Sequence, residues 1–124
     1  MTKVKGLSYE TKMINALKAL PTPIEDTKHD LLLHFANNRA RSNESRYEHI
    51  LKGSHKLMPR DIKSIPEGIK NSKLKKDKYR KRTFEYILKR NGNKKEYIRI
   101  CIVLDKNDSH VAFVKTMFIS KNDK

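Results

Sequence analysis

The chain has 124 residues, which is the length of one domain with a single modest hydrophobic core. It carries 29 lysines and arginines against 14 acidic residues, and the resulting net charge of +15 concentrates polyanions around the protein. One cysteine excludes a disulfide framework, and no stretch approaches the roughly 20 apolar residues of a membrane span. The charge favours nucleic acid as partner, while a membrane surface, an acidic protein and a basic ribosomal-type role remain alternatives.

The first predicted element is a helix over residues 9–20. Ser8 fits the N-cap, and apolar residues recur behind it at helical spacing. Pro21 and Pro23 end the helix, because proline lacks the N–H group that a helix interior requires.

A second helix is predicted from about residue 26 through the leucine-rich run 31–35. On this helix Asp30 and His34 would form an i,i+4 pair. His29 and His34 lack the spacing of a metal pair and have no cysteines beside them, so no metal site is predicted.

A third, short helix is predicted from Ser45, because Ser45 and Glu48 have the spacing of a capping box and Gly53 suits the position after a helix end. His49 then projects away from the apolar face, and His55 lies beyond the break on a turn. Histidine titrates near neutral pH, so the two could divide the general base and acid roles of RNA cleavage. A solvent-exposed helix histidine and an ordinary loop histidine are the alternative interpretations.

Pro59 fits the first turn of another helical segment, and Ile62, Ile65 and Ile69 share one face of it. The following residues 71–82 are strongly basic and are predicted to form a solvated linker or arm. The predicted nucleic-acid-binding residues in this arm are Lys73, Lys75, Lys76, Lys78, Arg80, Lys81 and Arg82.

The last third of the chain predicts three antiparallel strands at residues 83–88, 96–104 and 110–119, with Asn91 and Gly92 as a hairpin turn. Cys101 is predicted to be a small buried strand residue and not a nucleophile. The middle strand carries an aliphatic face with Ile98, Ile100, Ile102 and Leu104.

The opposite face of the middle strand carries Tyr97 and Arg99, which could bind RNA and pair with a phosphate, respectively. In the last strand, Lys115 and Thr116 interrupt an apolar run. Regular alternation puts Thr116 with Ala112 and Val114, and Lys115 on the other face, unless a bulge re-aims one of them. An ordinary exposed sheet face is the alternative.

Three features in this order resemble the phage-type branch of the barnase–EndoU–colicin–RelE-like (BECR) nucleases. They are the segment from His49 to His55, the turn at residues 65–69, and the strands that end in residues 114–118. The resemblance covers residues 45–119, about the last two thirds of the chain. It implies helices packed on one face of an antiparallel sheet and a ribonuclease that cuts without metal through a 2′,3′-cyclic phosphate.

By position, the resemblance matches His49 and His55 to the family's histidines after the N-terminal helices, and Thr116 to a serine or threonine of the final strand. Arg99 is a looser match to a basic strand residue. In the implied reaction the histidines are the base and acid, Arg99 and Lys115 stabilise the charge on the phosphate, and Thr116 hydrogen-bonds a phosphoryl oxygen.

The predicted fold is therefore α+β, with N-terminal helices packed on a C-terminal antiparallel meander of three or four strands. Residues 1–43 form a helical region that could be accessory, 44–120 the nuclease-like core and 121–124 a tail, in one compact domain.

The leading functional hypothesis is an endoribonuclease of toxin or phage type that needs neither metal nor cofactor. The alternative is a basic nucleic-acid-binding module without catalysis. A third hypothesis is an adaptor for an acidic immunity or antitoxin protein, which could coexist with the first. Residues 1–7 lack the pattern of a signal peptide, so a cytoplasmic protein of bacterial or phage origin, without a membrane partner, is expected.

Overall fold

A computed structural model describes residues 8–35, 50–51 and 56–121 of the chain. Within these ranges there are three helices, α1 Tyr9–Lys18, α2 Pro59–Lys63 and α3 Ile65–Ile69. There are six strands, β1 Ile24–Asp26, β2 Leu31–His34, β3 Lys73–Lys76, β4 Thr83–Arg90, β5 Asn93–Leu104 and β6 Val111–Ser120. The protein is α+β, and none of these helices is long and apolar enough to cross a membrane.

All six strands belong to one sheet, in the order β1-β2-β6-β5-β4-β3. The β2–β6 pair is parallel and the other pairs in this part of the chain are antiparallel. The predicted three-stranded meander corresponds to β4, β5 and β6. Two strands from the N-terminal region extend it on one side, and β3 extends it on the other.

The first predicted helix is confirmed as α1. The Ser8 hydroxyl accepts a hydrogen bond from the Thr11 N–H at 3.1 Å, so it satisfies one of the donors that a helix start leaves unpaired. The buried side of α1 carries Met13, Ala16 and Leu17.

The second predicted helix is wrong, because the leucine-rich run forms β2. The pleat of the strand sends Leu31 and Leu33 into the core and leaves Leu32 36% exposed. Three consecutive leucines fit a helix or a short buried strand equally well. Backbone pairing with β1 and with β6 selects the strand.

The predicted helical pair of Asp30 and His34 is wrong for the same reason. Asp30 lies in the β1–β2 turn with a left-handed φ of 58°, and its carboxylate Oδ2 is 3.0 Å from Nδ1 of His110. The His34 ring instead lies beside the Phe113 ring, with 5.6 Å between the centroids.

The sheet is curled, so that its two ends approach each other. β1 and β4 are four steps apart in strand order, and a flat sheet would separate them by roughly 19 Å at the usual strand spacing. The Tyr86 hydroxyl of β4 nevertheless donates to the Asp26 carboxylate of β1 at 2.6 Å. Lys28 Nζ also donates to the Ser72 carbonyl at 3.3 Å, which joins the β1–β2 turn to the segment before β3.

The core lies on the inner face of this curled sheet. The predicted aliphatic face of β5 is confirmed, since Ile98, Ile100 and Ile102 are fully buried. They share one hydrophobic cluster with α1 and with the residues around α2 and α3. The domain boundary predicted near residue 43 lies outside the described residues.

The helical segment after Pro59 is confirmed as α2 and α3, with Pro59 in the first turn of α2. Ile62, Ile65 and Ile69, which were predicted to share one face, are all buried. The basic stretch 71–82 is not a linker throughout, because its first half is the edge strand β3, paired with β4. The hairpin at Gly92 is confirmed by its φ of 81°.

An ion-pair cluster fastens α2 to the β4–β5 hairpin. Arg90 donates from Nε and Nη2 to the two oxygens of Asp61, both at 2.9 Å, and from Nη1 to Glu96 at 2.8 Å. Asp61, which is buried, also accepts from the Met58 N–H at 2.8 Å. The bond to Asp61, followed by that to Glu96, raises the pKa of the Arg90 guanidinium.

Replacing Asp61 by Asn should lower the free energy of unfolding by about 3 kcal/mol, because it leaves the largely buried Arg90 without its bidentate partner. Urea denaturation of the purified variant measures this loss. Glu67→Gln is the matched control, since it breaks an exposed 3.5 Å pair with Lys70 and should change stability by less than about 0.5 kcal/mol. Equal effects of the two changes would contradict a structural role for the Arg90 cluster.

Candidate nucleic-acid interface

A bulge in β6 determines which side chains share the outer face of the sheet. Cys101 pairs with Thr116 and Ile102 pairs with Val114, so Lys115 is an extra residue without a partner on β5. The inward positions consequently change from Ala112 and Val114 before the bulge to Met117 after it, and all three are fully buried. The regular alternation that puts Thr116 with Ala112 and Val114 is therefore wrong.

The outer face, the side of the sheet opposite the isoleucines of β5, follows from the strand register because directly paired residues share a face. It carries Tyr97, Arg99, Cys101 and Val103 of β5. Their partners on this face are Thr83, Glu85, Ile87 and Lys89 of β4, with Lys73 and Lys75 of β3 beyond them, and Phe113, Thr116, Phe118 and Ser120 of β6. The face thus mixes aromatic, basic, apolar and hydroxyl side chains with one carboxylate.

Because of the bulge, Arg99 and Thr116 share this outer face, and they are diagonal neighbours about 7–8 Å apart. Arg99 is 7% exposed, and its Nη1 donates to Glu85 Oε1 of the adjacent strand at 2.6 Å. A phosphate at this position would have to share the Arg99 guanidinium with the Glu85 carboxylate or displace that carboxylate.

Thr116 contacts the segment that contains the two predicted catalytic histidines. Its hydroxyl donates to the Ile50 carbonyl at 3.3 Å. Ile50 and Leu51 are helical, and β2 pairs with Val111–Phe113 of β6, so Ile50 lies beside the part of β6 beyond β2. His49 and His55 themselves lie outside the described residues.

Two predicted cations, Lys115 of β6 and Arg80 of the β3–β4 turn, lie close enough to act on the same groups. Both act electrostatically on the Cys101 thiol and on the Asp77 carboxylate. Burial raises the pKa of the Cys101 thiol, and Lys115 opposes this increase. Cys101 lies half-buried on the outer face and not in the core, because it pairs with Thr116.

The turn between β3 and β4, residues 77–82, is ordered by the Asp77 carboxylate. Asp77 Oδ1 accepts from the backbone N–H groups of Tyr79 and Arg80, both at 2.8 Å. These bonds lower the pKa of the Asp77 carboxyl, the one from Tyr79 first. The Tyr79 side chain is 92% exposed, and every predicted binding lysine and arginine of residues 73–82 is exposed as well.

The Asp26–His29–Tyr86 cluster was not predicted. His29 Nδ1 lies 2.7 Å from Asp26 Oδ2, and the same oxygen accepts from the Tyr86 hydroxyl. Burial and then Asp26 raise the pKa of Tyr86, so the phenol stays protonated and donates. The spacing of Asp26 and His29, three residues apart, was the available signal in the sequence. The two side chains meet only because the chain turns between β1 and β2. The cluster connects the two ends of the sheet.

Sequence reasoning also missed a cleft at the edge of the sheet, between α3 and the end of β4, with a volume of about 610 Å³. In the described part of the chain, no three His, Cys, Asp or Glu side chains are grouped to hold a metal ion.

Comparisons with protein-family models, with curated proteins and with solved structures returned no match to this chain. The resemblance to BECR nucleases therefore stays a prediction that depends on the residues named above.

Proposed function

We propose that the protein binds single-stranded nucleic acid, with RNA as the expected form, through the β3–β4 hairpin and the adjoining outer face. The observation that carries this proposal is the almost fully exposed Tyr79 at the end of a hairpin whose lysines and arginines in residues 73–82 are all exposed. Base–aromatic stacking combined with a cationic surface is the recurrent solution for binding unpaired strands.

Residues 73–82 of the hairpin keep a positive field because they contain seven lysines and arginines and one acidic residue, Asp77. Asp77 is held by two backbone N–H groups within the turn, and it is not ion-paired with the lysines in the described contacts of the hairpin. These bonds also hold the backbone of Tyr79 and Arg80 in one conformation. A stacking residue on an ordered turn loses less conformational freedom on binding.

A nucleic acid explains the exposed tyrosine better than a membrane surface or an acidic protein would. Lysines alone would attract any polyanion. A phenol ring between cations offers a flat surface to a base, and every base has such a surface. On the outer face, Tyr97 and Phe118 extend the same combination of aromatic and basic side chains.

Replacing Lys78, Arg80 and Lys81 together by Gln should weaken binding of a labelled single-stranded RNA at least tenfold. It should also reduce the slope of log affinity against log salt by about 2, since each lost phosphate contact removes roughly 0.7 from the slope. Fluorescence anisotropy between about 50 and 200 mM salt measures both quantities.

The matched control is the triple change of Lys12, Lys63 and Lys106 to Gln, which removes the same charge from exposed positions outside the hairpin. It should leave the slope nearly unchanged. If both triple variants weaken binding equally, the net charge of the protein and not the hairpin is responsible.

Replacing Tyr79 by Ala should weaken the same complex about tenfold with little change in the salt slope, because a stacked base contributes about 1–3 kcal/mol. Tyr79→Phe should retain the affinity, since the ring and not the hydroxyl is required. Anisotropy titrations at one salt concentration compare the three proteins. An unchanged affinity for Tyr79→Ala would exclude stacking at this position.

RNA cleavage is a second candidate function, supported by the hydrogen bond from Thr116 to Ile50. This contact joins the residue after His49 to the strand that carries Lys115 and Thr116 on or beside the outer face. In the proposed reaction, His49 and His55 exchange protons with the 2′-hydroxyl and the leaving 5′-oxygen. Arg99 and Lys115 stabilise the charge on the phosphate. Thr116 can donate a hydrogen bond to a phosphoryl oxygen only after its bond to the Ile50 carbonyl is broken.

Total RNA incubated with the protein in EDTA should acquire 2′,3′-cyclic phosphate ends, and His49→Ala should reduce their rate of formation by about 10²–10⁴-fold. End mapping by ligation-selective sequencing measures the products. His110→Ala is the control, because this histidine is exposed and paired with Asp30 at the other end of β6. Undiminished cleavage by His49→Ala would exclude His49 from the reaction, and no cleavage by the unchanged protein would leave the binding function alone.

A further inference from the structure

The cleft beside α3 lies where β3 ends as the neighbour of β4 and α3 takes its place. β3 pairs with β4 only as far as Ile87, and beyond this point α3 lies beside the strand. The volume of about 610 Å³ falls within the range of roughly 300–1,000 Å³ that small-molecule sites occupy. The cleft opens onto the outer face through Tyr97 and Lys89, which are paired across β5 and β4.

One part of the cleft is apolar and aromatic. Ile87 is 3% exposed although it lies on the outer face, and Tyr97 of β5 lines the same cleft. The Tyr97 ring offers a surface on which a flat ring system can stack, whereas a sugar or a peptide has no such flat face.

The remainder of the lining is polar and of two kinds. Lys73 and Lys89 supply cations, as a phosphate group requires. Asn71 and Asn91 supply amides, which can both donate and accept, and Glu67 supplies an acceptor. Donor and acceptor groups next to a stacking surface, with cations beside them, match the base and the phosphate of a nucleotide.

We propose that this cleft binds one nucleotide of a single strand, with its base against the Tyr97 ring and its phosphate at Lys73 and Lys89. The inference rests on the proposed binding function and adds a site to it. Lys73 lies in the cleft and begins β3, and Lys75 follows on the same face about 7 Å further along. A strand that leaves the cleft along β3 therefore reaches the basic hairpin.

Binding of the four ribonucleoside 5′-monophosphates to isotope-labelled full-length protein tests the cleft separately from the hairpin. We expect at least one of them to shift the backbone amide resonances of Ile87, Lys89 and Tyr97 in a saturable manner. Inorganic phosphate should shift the backbone amide resonance of Lys89 and leave that of Ile87 unchanged. If no mononucleotide shifts these three resonances, the cleft is not a nucleotide site, whatever the hairpin does.

Tyr97→Leu should weaken mononucleotide binding about tenfold, since it removes the aromatic surface but retains an apolar strand residue. Lys89→Gln is a second variant without risk to folding, because this side chain is exposed, and it should weaken binding about threefold. Lys106→Gln removes an equivalent exposed lysine outside the cleft and should have no effect. Unchanged affinity in both cleft variants would overturn the assignment.

A tetranucleotide distinguishes a strand from a free nucleotide. It should bind more tightly than the mononucleotide, and the Lys78, Arg80 and Lys81 triple change to Gln should abolish this gain without altering mononucleotide affinity. If the tetranucleotide gains nothing, the ligand is a free nucleotide and the strand proposal is wrong. If long RNA binds with the predicted salt slope while the cleft resonances stay unmoved, the cleft inference fails and the proposed function stands.

Discussion

The bidentate ion pair between Arg90 and Asp61 is the contact on which the arrangement of the helices depends. Asp61 is buried at the start of α2, and Arg90 ends β4, so the pair joins two segments 29 positions apart. The third partner, Glu96, adds the beginning of the long strand β5. Because α3 follows α2 after a single residue, fixing α2 also fixes α3 beside β4 and thereby forms one wall of the cleft. A buried charge pair favours one arrangement strongly, since each charge left alone is costly.

The outer face depends on a different local feature, the extra residue at Lys115. Without it, β6 would turn Met117 outward, and one half of the strand would expose the side chains that the other half buries. The bulge instead keeps both halves apolar on the inside and brings Thr116 to the same side as Arg99. In the same region, Glu85 and the Ile50 carbonyl already occupy the groups that a phosphate would use. A phosphate at Arg99 or Thr116 would therefore have to displace these partners, whereas the cations of residues 73–82 are exposed.

The binding and the cleavage hypotheses require interactions over different distances. Attraction of a polyanion to the hairpin needs only exposed cations and acts over a Debye length of about 8–10 Å at physiological salt. Catalysis needs a base, an acid and a phosphate held within hydrogen-bonding distance of one another. The described residues meet the first requirement fully, through Tyr79 and the cations around it. For the second, Arg99 and Thr116 share the outer face, and Thr116 contacts the Ile50 carbonyl, while the two predicted histidines lie outside the described residues.

The sequence by itself determined the elements that short-range chemistry specifies. These are the capped helix after Ser8, the hairpin at Gly92, the buried isoleucines of β5 and the concentration of charge in residues 71–82. Only the tertiary structure decided the leucine run of β2, which becomes a strand because β6 offers a parallel edge. Long-range contacts also decided the Tyr86–Asp26 bond, the face of Thr116 and the cleft, since each joins segments whose spacing in the chain carries no periodic signal.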